Sequence, residues 1–287
     1  MKNQNTILVV GATGRQGGAV SHHLLNKGWK VKALTRNANG EKAKNLVKAG
    51  ADVVQGDLDE PGQIRHFFDG VYGVFSVQNP WITGLEKEVE HGIRVADLAK
   101  EARVKHFVYS SAGTGEAGTG VPHFESKVKI ERQIKNLSIP YTIVRPAGFM
   151  ELMSDKDFVP PLVAWNVIGK MLGNNFPLSW ISTDDVGAVT AAVFSNPQQY
   201  IGKELMLAGD IKSMQECRNL YREIFDKNLL GIPAPVWLFK LMQNDLYQMF
   251  TWMKSEQVSE KVVELTRQII GETTSVRQWM TMRKSAM

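Results

Sequence analysis

Gly11-Ala12-Thr13-Gly14-Arg15-Gln16-Gly17-Gly18 follows the apolar run Ile7-Leu8-Val9-Val10 and precedes a segment, Ala19 to Lys27, with apolar residues at Val20, Leu24 and Leu25. An apolar strand, a glycine turn and an amphipathic helix in this order form the context of a dinucleotide-binding turn. Gly11 allows a sharp exit from the strand. Gly14, lacking a Cβ, lets the backbone approach a pyrophosphate, and Gly17 lets the helix pack closely against the sheet. The unpaired N–H groups and positive end of the helix then face the phosphates. Thr13, Arg15 and Gln16 belong to the same turn and are counted with the three glycines as cofactor-binding candidates. The glycine spacing is G-x-x-G-x-x-G.

Outward from this turn the chain alternates strand-like and helix-like segments. Lys30–Leu34, Ala51–Gln55, Gly73–Val77, His106–Ser110 and Tyr141–Arg145 read as strands two to six. Between them lie helical segments at Glu41–Lys48, Pro61–Phe68, Leu85–Ala102 and Phe124–Lys135. The alternation predicts βαβ units with right-handed crossovers, hence an α/β, Rossmann-type doubly wound parallel sheet. After Pro146 the pattern loosens. A helix is expected from Val186 to Phe194 behind Thr183-Asp184-Asp185, a strand at Lys203–Leu207 and a helix at Ser213–Phe225. Trp237, Phe239, Met242, Met249, Phe250 and Trp252 crowd the stretch after Gly231. The expected division is a dinucleotide-binding domain over 1–150 and a smaller, mostly helical C-terminal lobe over 151–287, some of whose elements return to the sheet. The aromatic and Met content of the lobe fits a core more readily than a ligand pocket.

Composition narrows the class of protein. With 287 residues, 43% apolar and 22% charged, the chain can bury a large core. Its single cysteine, Cys217, excludes an internal disulfide framework and fits a reducing compartment, so a cytoplasmic protein is expected. No apolar run approaches a membrane span of roughly 18 residues or more, and no signal peptide opens the chain. The formal charge of +5 is spread along the sequence and points away from direct nucleic-acid binding. No metal site is expected.

The carboxyl ends of the strands supply the remaining candidates, since ligands of such sheets bind there. The second strand ends at Leu34-Thr35-Arg36-Asn37, with Arg36 where an NAD site usually has Asp or Glu. A guanidinium there suits a 2′-phosphate and points to NADP(H), the alternative being a solvated surface arginine. Lys42 and Lys44 follow and can add charge. Asp57 and Leu58 lie just past the third strand on the same edge. Asp57 suits either the adenine amino group or the N-terminus of the helix near Pro61. Val77, Gln78 and Asn79 end the fourth strand and line the ribose side. Ser110 and Ser111 end the fifth, as substrate contacts or turn caps.

Pro122-His123-Phe124-Glu125-Ser126-Lys127 occupies the place where short-chain reductases carry Tyr-x-x-x-Lys, residues that share a helix face. There the lysine holds the nicotinamide ribose and lowers the tyrosine pKa. Here Lys127 is retained and His123 stands at the tyrosine position. Imidazole exchanges protons near neutral pH, so His123 and Lys127 are the catalytic candidates, with a structural role the alternative for His123.

Taken together, the glycine turn, Leu34-Thr35-Arg36-Asn37, Val54-Gln55-Gly56-Asp57, His123-Phe124-x-x-Lys127 and Val144-Arg145-Pro146 resemble the NmrA-like family of atypical short-chain dehydrogenase/reductase relatives. The resemblance covers nearly the whole chain. It implies a Rossmann domain with a small C-terminal lobe and preference for NADP(H), and it implies either a redox-sensing regulator or a reductase of quinones, dyes or phenylpropanoids. It also implies that Phe149 and Glu151, in Gly148-Phe149-Met150-Glu151, lie where family members close over the nicotinamide; Leu152 stands where the family often has Asn. Two functions stay open. One is an NADP(H)-binding sensor that signals to a regulatory protein partner, motivated by the missing tyrosine. The other is an NADPH-dependent reductase of a small apolar electrophile such as a quinone, motivated by the aromatic-rich lobe. Monomer and homodimer are both compatible with the sequence.

Overall fold

In the computed structural model, residues 5–156, 161–231, 235–255 and 258–285 are described. The chain divides into two compact units. The first comprises Met1–Ala117, His123–Arg145 and Val186–Met206; the second comprises Gly118–Pro122, Pro146–Asp185 and Leu207–Met287.

The first unit follows the alternating pattern. In chain order it contains β1 (Thr6–Val10), α1 (Arg15–Asn26), β2 (Lys30–Thr35), α2 (Glu41–Lys48), β3 (Asp52–Gln55), α3 (Pro61–Ile64), β4 (Gly73–Ser76), α4 (Pro80–Thr83), α5 (Leu85–Glu101) and β5 (His106–Ser110). Then come α6 (Pro122–Asn136) and β6 (Tyr141–Pro146), whose end residues Pro122 and Pro146 are counted with the second unit. The sheet has seven strands in the order β3-β2-β1-β4-β5-β6-β9, the last being Glu204–Leu207. Strands β1 to β6 pair in parallel. Order reverses between β1 and β4, the switch point at whose carboxyl edge such sheets bind ligands. Parallel strands are covered on both faces, which is why β1 reads as a continuous apolar run from Ile7 to Val10 and every residue of β4 and β5 is buried. One face packs Leu8, Val74, Phe107, Tyr109 and Ile143 against Val95, Leu98 and Ala99 of α5 and Ile130 and Ile134 of α6.

Most boundaries shift from the sequence reading by a residue or two, and two shifts have physical content. Helix α1 begins at Arg15, four residues earlier than expected, so Gly17 and Gly18 lie inside it. The segment after Pro61 is α-helical only to Ile64 and continues as a 3-10 turn over Arg65–Phe68.

The second unit is mostly helical. It holds α7 (Pro161–Leu172), α10 (Met214–Phe225), α11 (Val236–Met242), α12 (Asn244–Met253), α13 (Glu260–Ile270) and α14 (Val276–Ser285). The helix α8 (Thr183–Ser195) starts in it, and α9 (Pro197–Tyr200) belongs to the first unit. A three-stranded sheet, β10-β8-β7 (Asp210–Ile211, Ser179–Ile181, Gly148–Phe149), was not expected from the sequence; its strands have two or three residues, too few to show a period. Trp165, Trp180, Phe239, Phe250 and Trp279 are buried with Met150, Met153, Met171 and Met214 in one cluster, so much of the aromatic content is core. Cys217 is buried there, and desolvation pushes its thiol up to about 12, which keeps it inert. Among the described residues no helix is long and apolar enough to cross a membrane, and no group of three metal-ligating side chains occurs.

Candidate functional site

The glycine turn is held by its own backbone. Gly11 has φ +69°, which favours glycine, and its carbonyl accepts from the Gly14 N–H at 2.9 Å. The Ala12 N–H reaches Leu34 O at 3.3 Å, tying the turn to the end of β2. A Cβ on Gly17 would lie 2.2 Å from Gly11 O and 3.0 Å from Ala12 Cα. The close approach at Gly17 is therefore between helix and turn, where the sequence suggested helix and sheet. Gly14 is the N-cap of α1; no side chain caps the helix and its first turn carries no acid. A helix N-terminus in this state is suited to an anion.

Two predicted edge residues of the first unit, Val77 and Ser110, lie against this turn. Thr13 Oγ1 lies 3.1 Å from Thr35 Oγ1, and Thr35 Oγ1 also accepts from the Asn37 N–H at 3.3 Å. Arg36, between Thr35 and Asn37, is exposed. Gln16 Oε1 accepts from Ser110 Oγ at 2.7 Å, so a residue of the glycine turn meets the end of β5. Asp57 does not cap α3, whose N-cap is Glu60. Its Oδ1 accepts from the Asp59 N–H at 3.0 Å in a local turn. The next residue, Leu58, is half-buried, and its carbonyl accepts from Arg94 of α5. Asp59 takes Lys87 at 2.6 Å and His91 at 3.0 Å, and those two hydrogen bonds hold its carboxyl down at about 2.

At the end of β4, Val77 lies beside the turn, its carbonyl 3.5 Å from where a Gly11 Cβ would be. Asn79 caps α4, its Oδ1 accepting from the Trp81 N–H at 3.0 Å. The Gln78 amide donates to Ser76 Oγ at 2.9 Å, while Gln78 Oε1 and Ser111 Oγ are buried with no hydrogen-bond partner. Two orphaned acceptors at a sheet edge of this kind fit a ligand bearing hydroxyl or amide groups.

His123 is 2% exposed, its ring 5.1 Å from Trp81 and 4.5 Å from Phe124. It is thus a packed residue, where a surface residue was one of the readings. Lys127, 6% exposed, donates to Glu88 Oε1 at 2.8 Å and to the Gln78 carbonyl at 3.4 Å. Glu88 is fully buried, and its other oxygen accepts from Ser126 Oγ. Glu88 was missed from sequence. Its signal was present: it shares the apolar helical stripe of Gly92, Val95 and Ala99, where an acid is out of place.

Phe149 and Glu151 belong to the second unit. Phe149 pairs with Ile181 in β7–β8. Glu151 is 8% exposed; its Oε1 accepts from the Thr183 N–H at 3.2 Å and Thr183 Oγ1 at 2.9 Å, at the start of α8, while its Oε2 is buried without a partner.

Comparison with known proteins agrees with this architecture. An NmrA-like family domain-containing protein of Dictyostelium discoideum is 30% identical over 246 residues, 78% of each chain. The solved structure of NmrA, a negative transcriptional regulator, in complex with NADP has TM-score 0.77 at 20% identity, covering 99% of this chain and 97% of that one. Citrobacter sp. triphenylmethane reductase complexed with NADP(H) also has TM-score 0.77, at 19% identity over 99% of this chain and 100% of that one. At these identities the two solved structures are likenesses of fold. The model of the NmrA-like family matches residues 3–283, and with the glycine turn, the switch-point edge and the strand order in place, the chain belongs to the NmrA-like family.

Proposed function

We propose that this chain is a cytoplasmic NADP(H)-binding protein with a degenerate short-chain-reductase site, acting as a redox or nucleotide sensor toward a regulatory protein partner. The observation that carries the reading is at the position of the family's tyrosine: His123 stands there, 2% exposed and packed against the rings of Trp81 and Phe124. The uncapped N-terminus of α1, the exposed Arg36 at the end of β2 and the orphaned acceptors at Gln78 and Ser111 support the dinucleotide. In this reading the backbone of Gly11, Gly14 and Gly17 with Thr13, Arg15 and Gln16 cradles the pyrophosphate, and Arg36 takes the 2′-phosphate. Asp57 and Leu58 flank the adenine. Val77, Gln78, Asn79 and Lys127 face the nicotinamide ribose. The relatives solved with NADP and NADP(H) support the same cofactor class. The protein acts as a monomer or homodimer, without direct nucleic-acid or membrane contact.

The test has two arms. Calorimetric titration yields NADPH binding tighter than NADH. Steady-state assays with secondary alcohols and ketones yield no oxidation or reduction of the cofactor. Turnover of a secondary alcohol at about 10 per second, an ordinary enzyme rate, would overturn the degenerate-site reading.

A second reading, an NADPH-dependent reductase of a small apolar electrophile such as a quinone, is favoured by one observation. Trp81 and Ile82 of α4 are 50% and 65% exposed, and the Trp81 ring lies 5.1 Å from that of His123. The aromatic-rich lobe, which motivated this reading from sequence, argues for it less, because many of its rings are buried in their own cluster. Hydride transfer to a quinone leaves an oxygen that water can protonate, so no enzyme acid is needed. Quinone-dependent NADPH oxidation unaffected by His123→Ala would select this reading.

A further inference from the structure

We propose that Glu88 is the positioning residue of the site: its buried carboxylate fixes the Lys127 ammonium at the carboxyl edge of β4, with a donor left for the nicotinamide-side ribose. The inference rests on the dinucleotide reading and assigns a role to a residue outside the glycine turn and outside the Tyr-x-x-x-Lys pattern.

The segment Leu85-Glu86-Lys87-Glu88-Val89-Glu90-His91 carries three glutamates, of which Glu86 and Glu90 are exposed and Glu88 is fully buried. Burial of a carboxylate is costly unless it is paired and fully hydrogen-bonded. Glu88 meets both conditions: Oε1 accepts from Lys127 Nζ at 2.8 Å and Oε2 from Ser126 Oγ. Two adjacent residues of α6 are thereby tied to one residue of α5. The lysine is held from a second side by the Gln78 carbonyl at 3.4 Å. An ammonium has three N–H donors. Two are spent on Glu88 and Gln78, which leaves one.

Stability does not account for this arrangement. A buried ion pair is at best comparable with an apolar pair of the same volume, so its presence is weak evidence for a stabilising role. What the pair does achieve is geometric. A lysine side chain loses much rotamer freedom on ordering, and a free one would have to lose it when ligand binds. With its head already held by Glu88 and Gln78, Lys127 presents its last donor without that loss.

The test uses full-length protein and two probes, NADPH and adenosine 2′,5′-bisphosphate, which ends before the nicotinamide ribose. Glu88→Gln keeps the shape and removes the charge: its amide oxygen can still accept from Lys127, and its NH2 can donate to Ser126 Oγ, whose own proton is free to go to the His123 carbonyl. The expected result is NADPH and NADH both weakened by about tenfold, the order of one charge-assisted hydrogen bond, with bisphosphate affinity unchanged. Glu88→Asp, which restores the charge, recovers part of the loss, and in a Lys127→Met background Glu88→Gln adds nothing further. If Gln is not tolerated at this position, Glu88→Asp against Glu88→Asn repeats the comparison at constant length. Wild-type NADPH affinity in Glu88→Gln, or equal loss of both probes, overturns the assignment. Failure of the wild-type protein to bind either probe removes the dinucleotide reading, and this assignment with it.

Discussion

Gly17 and Gly18 are neighbours in the first turn of α1, and replacing each by alanine is expected to have opposite consequences. Helix propensity alone predicts that either change stabilises, by up to about 1 kcal/mol, since glycine is the costlier residue in a helix. Packing divides them. A Cβ at Gly18 would sit 3.5 Å from Ala12 O, an ordinary contact. A Cβ at Gly17 would sit 2.2 Å from Gly11 O and 2.7 Å from Gly11 C, so the turn must retreat by about an ångström to reach van der Waals distance. Overpacking of this kind costs about 1–3 kcal/mol, more than the propensity gain. The retreating atom is the carbonyl that accepts from the Gly14 N–H, so the phosphate cradle is displaced along with it. Loss of two charge-assisted hydrogen bonds from the displaced cradle costs about 3 kcal/mol, on the order of 100-fold in affinity. Gly17→Ala should therefore melt below wild type and lose on the order of 100-fold in NADPH affinity. Gly18→Ala should melt at or above wild type and bind normally. Thermal unfolding and calorimetric titration of the two variants side by side decide the matter. Gly17→Ala binding NADPH within about twofold of wild type, with a raised melting temperature, would refute the packing argument.

Three further outcomes are expected. Arg36→Ala should weaken NADPH by about tenfold and leave NADH nearly unchanged in calorimetric titration, the low end of a charged hydrogen bond because Arg36 is exposed, and the effect should shrink with added salt; equal wild-type affinity for the two cofactors would contradict it. Glu131→Ala strips the buried Arg145 of a bidentate partner held at 3.0 and 2.6 Å; with Glu204 still facing the guanidinium, a loss of about 3 kcal/mol, the low end for breaking a buried pair, should appear in urea unfolding. His106 is buried against Phe194 and donates to Thr142 Oγ1 at 2.8 Å, and desolvation lowers its pKa from 6.5 to about 4. Between those values the unfolded chain holds a proton that the folded chain lacks, so stability falls as pH drops from about 6.5 to about 4, by on the order of 3 kcal/mol; urea unfolding at pH 7 and pH 5 should show the drop in wild type and a smaller one in His106→Gln.

The order of strands β1 to β6 and of the main helices between them was legible in the sequence because βαβ units are encoded locally. Apolar runs of four or five residues and helices with a repeating apolar stripe announce themselves within a window of a dozen residues. The glycine turn and the exchange of acid for Arg36 at the end of the second strand are equally local, as is the substitution of His123 for a phenol. What escaped the sequence depends on approach between segments distant in the chain. Gly17 was singled out by the motif, but the atom that forbids its Cβ, the Gly11 carbonyl of the turn and not a sheet residue, came only from the structure. His123 stood in the sequence between a proton-transfer role and a structural one, and only the fold buries it, with the Trp81 ring 5.1 Å away. Glu88 is one of three glutamates in seven residues, and its partner lies 39 positions away on another helix. The sequence by itself determined which residues end strands β1 to β6 of the parallel sheet. The tertiary structure alone decided which of them are desolvated and what each faces there, because burial and pairing arise from long-range packing that no local pattern records.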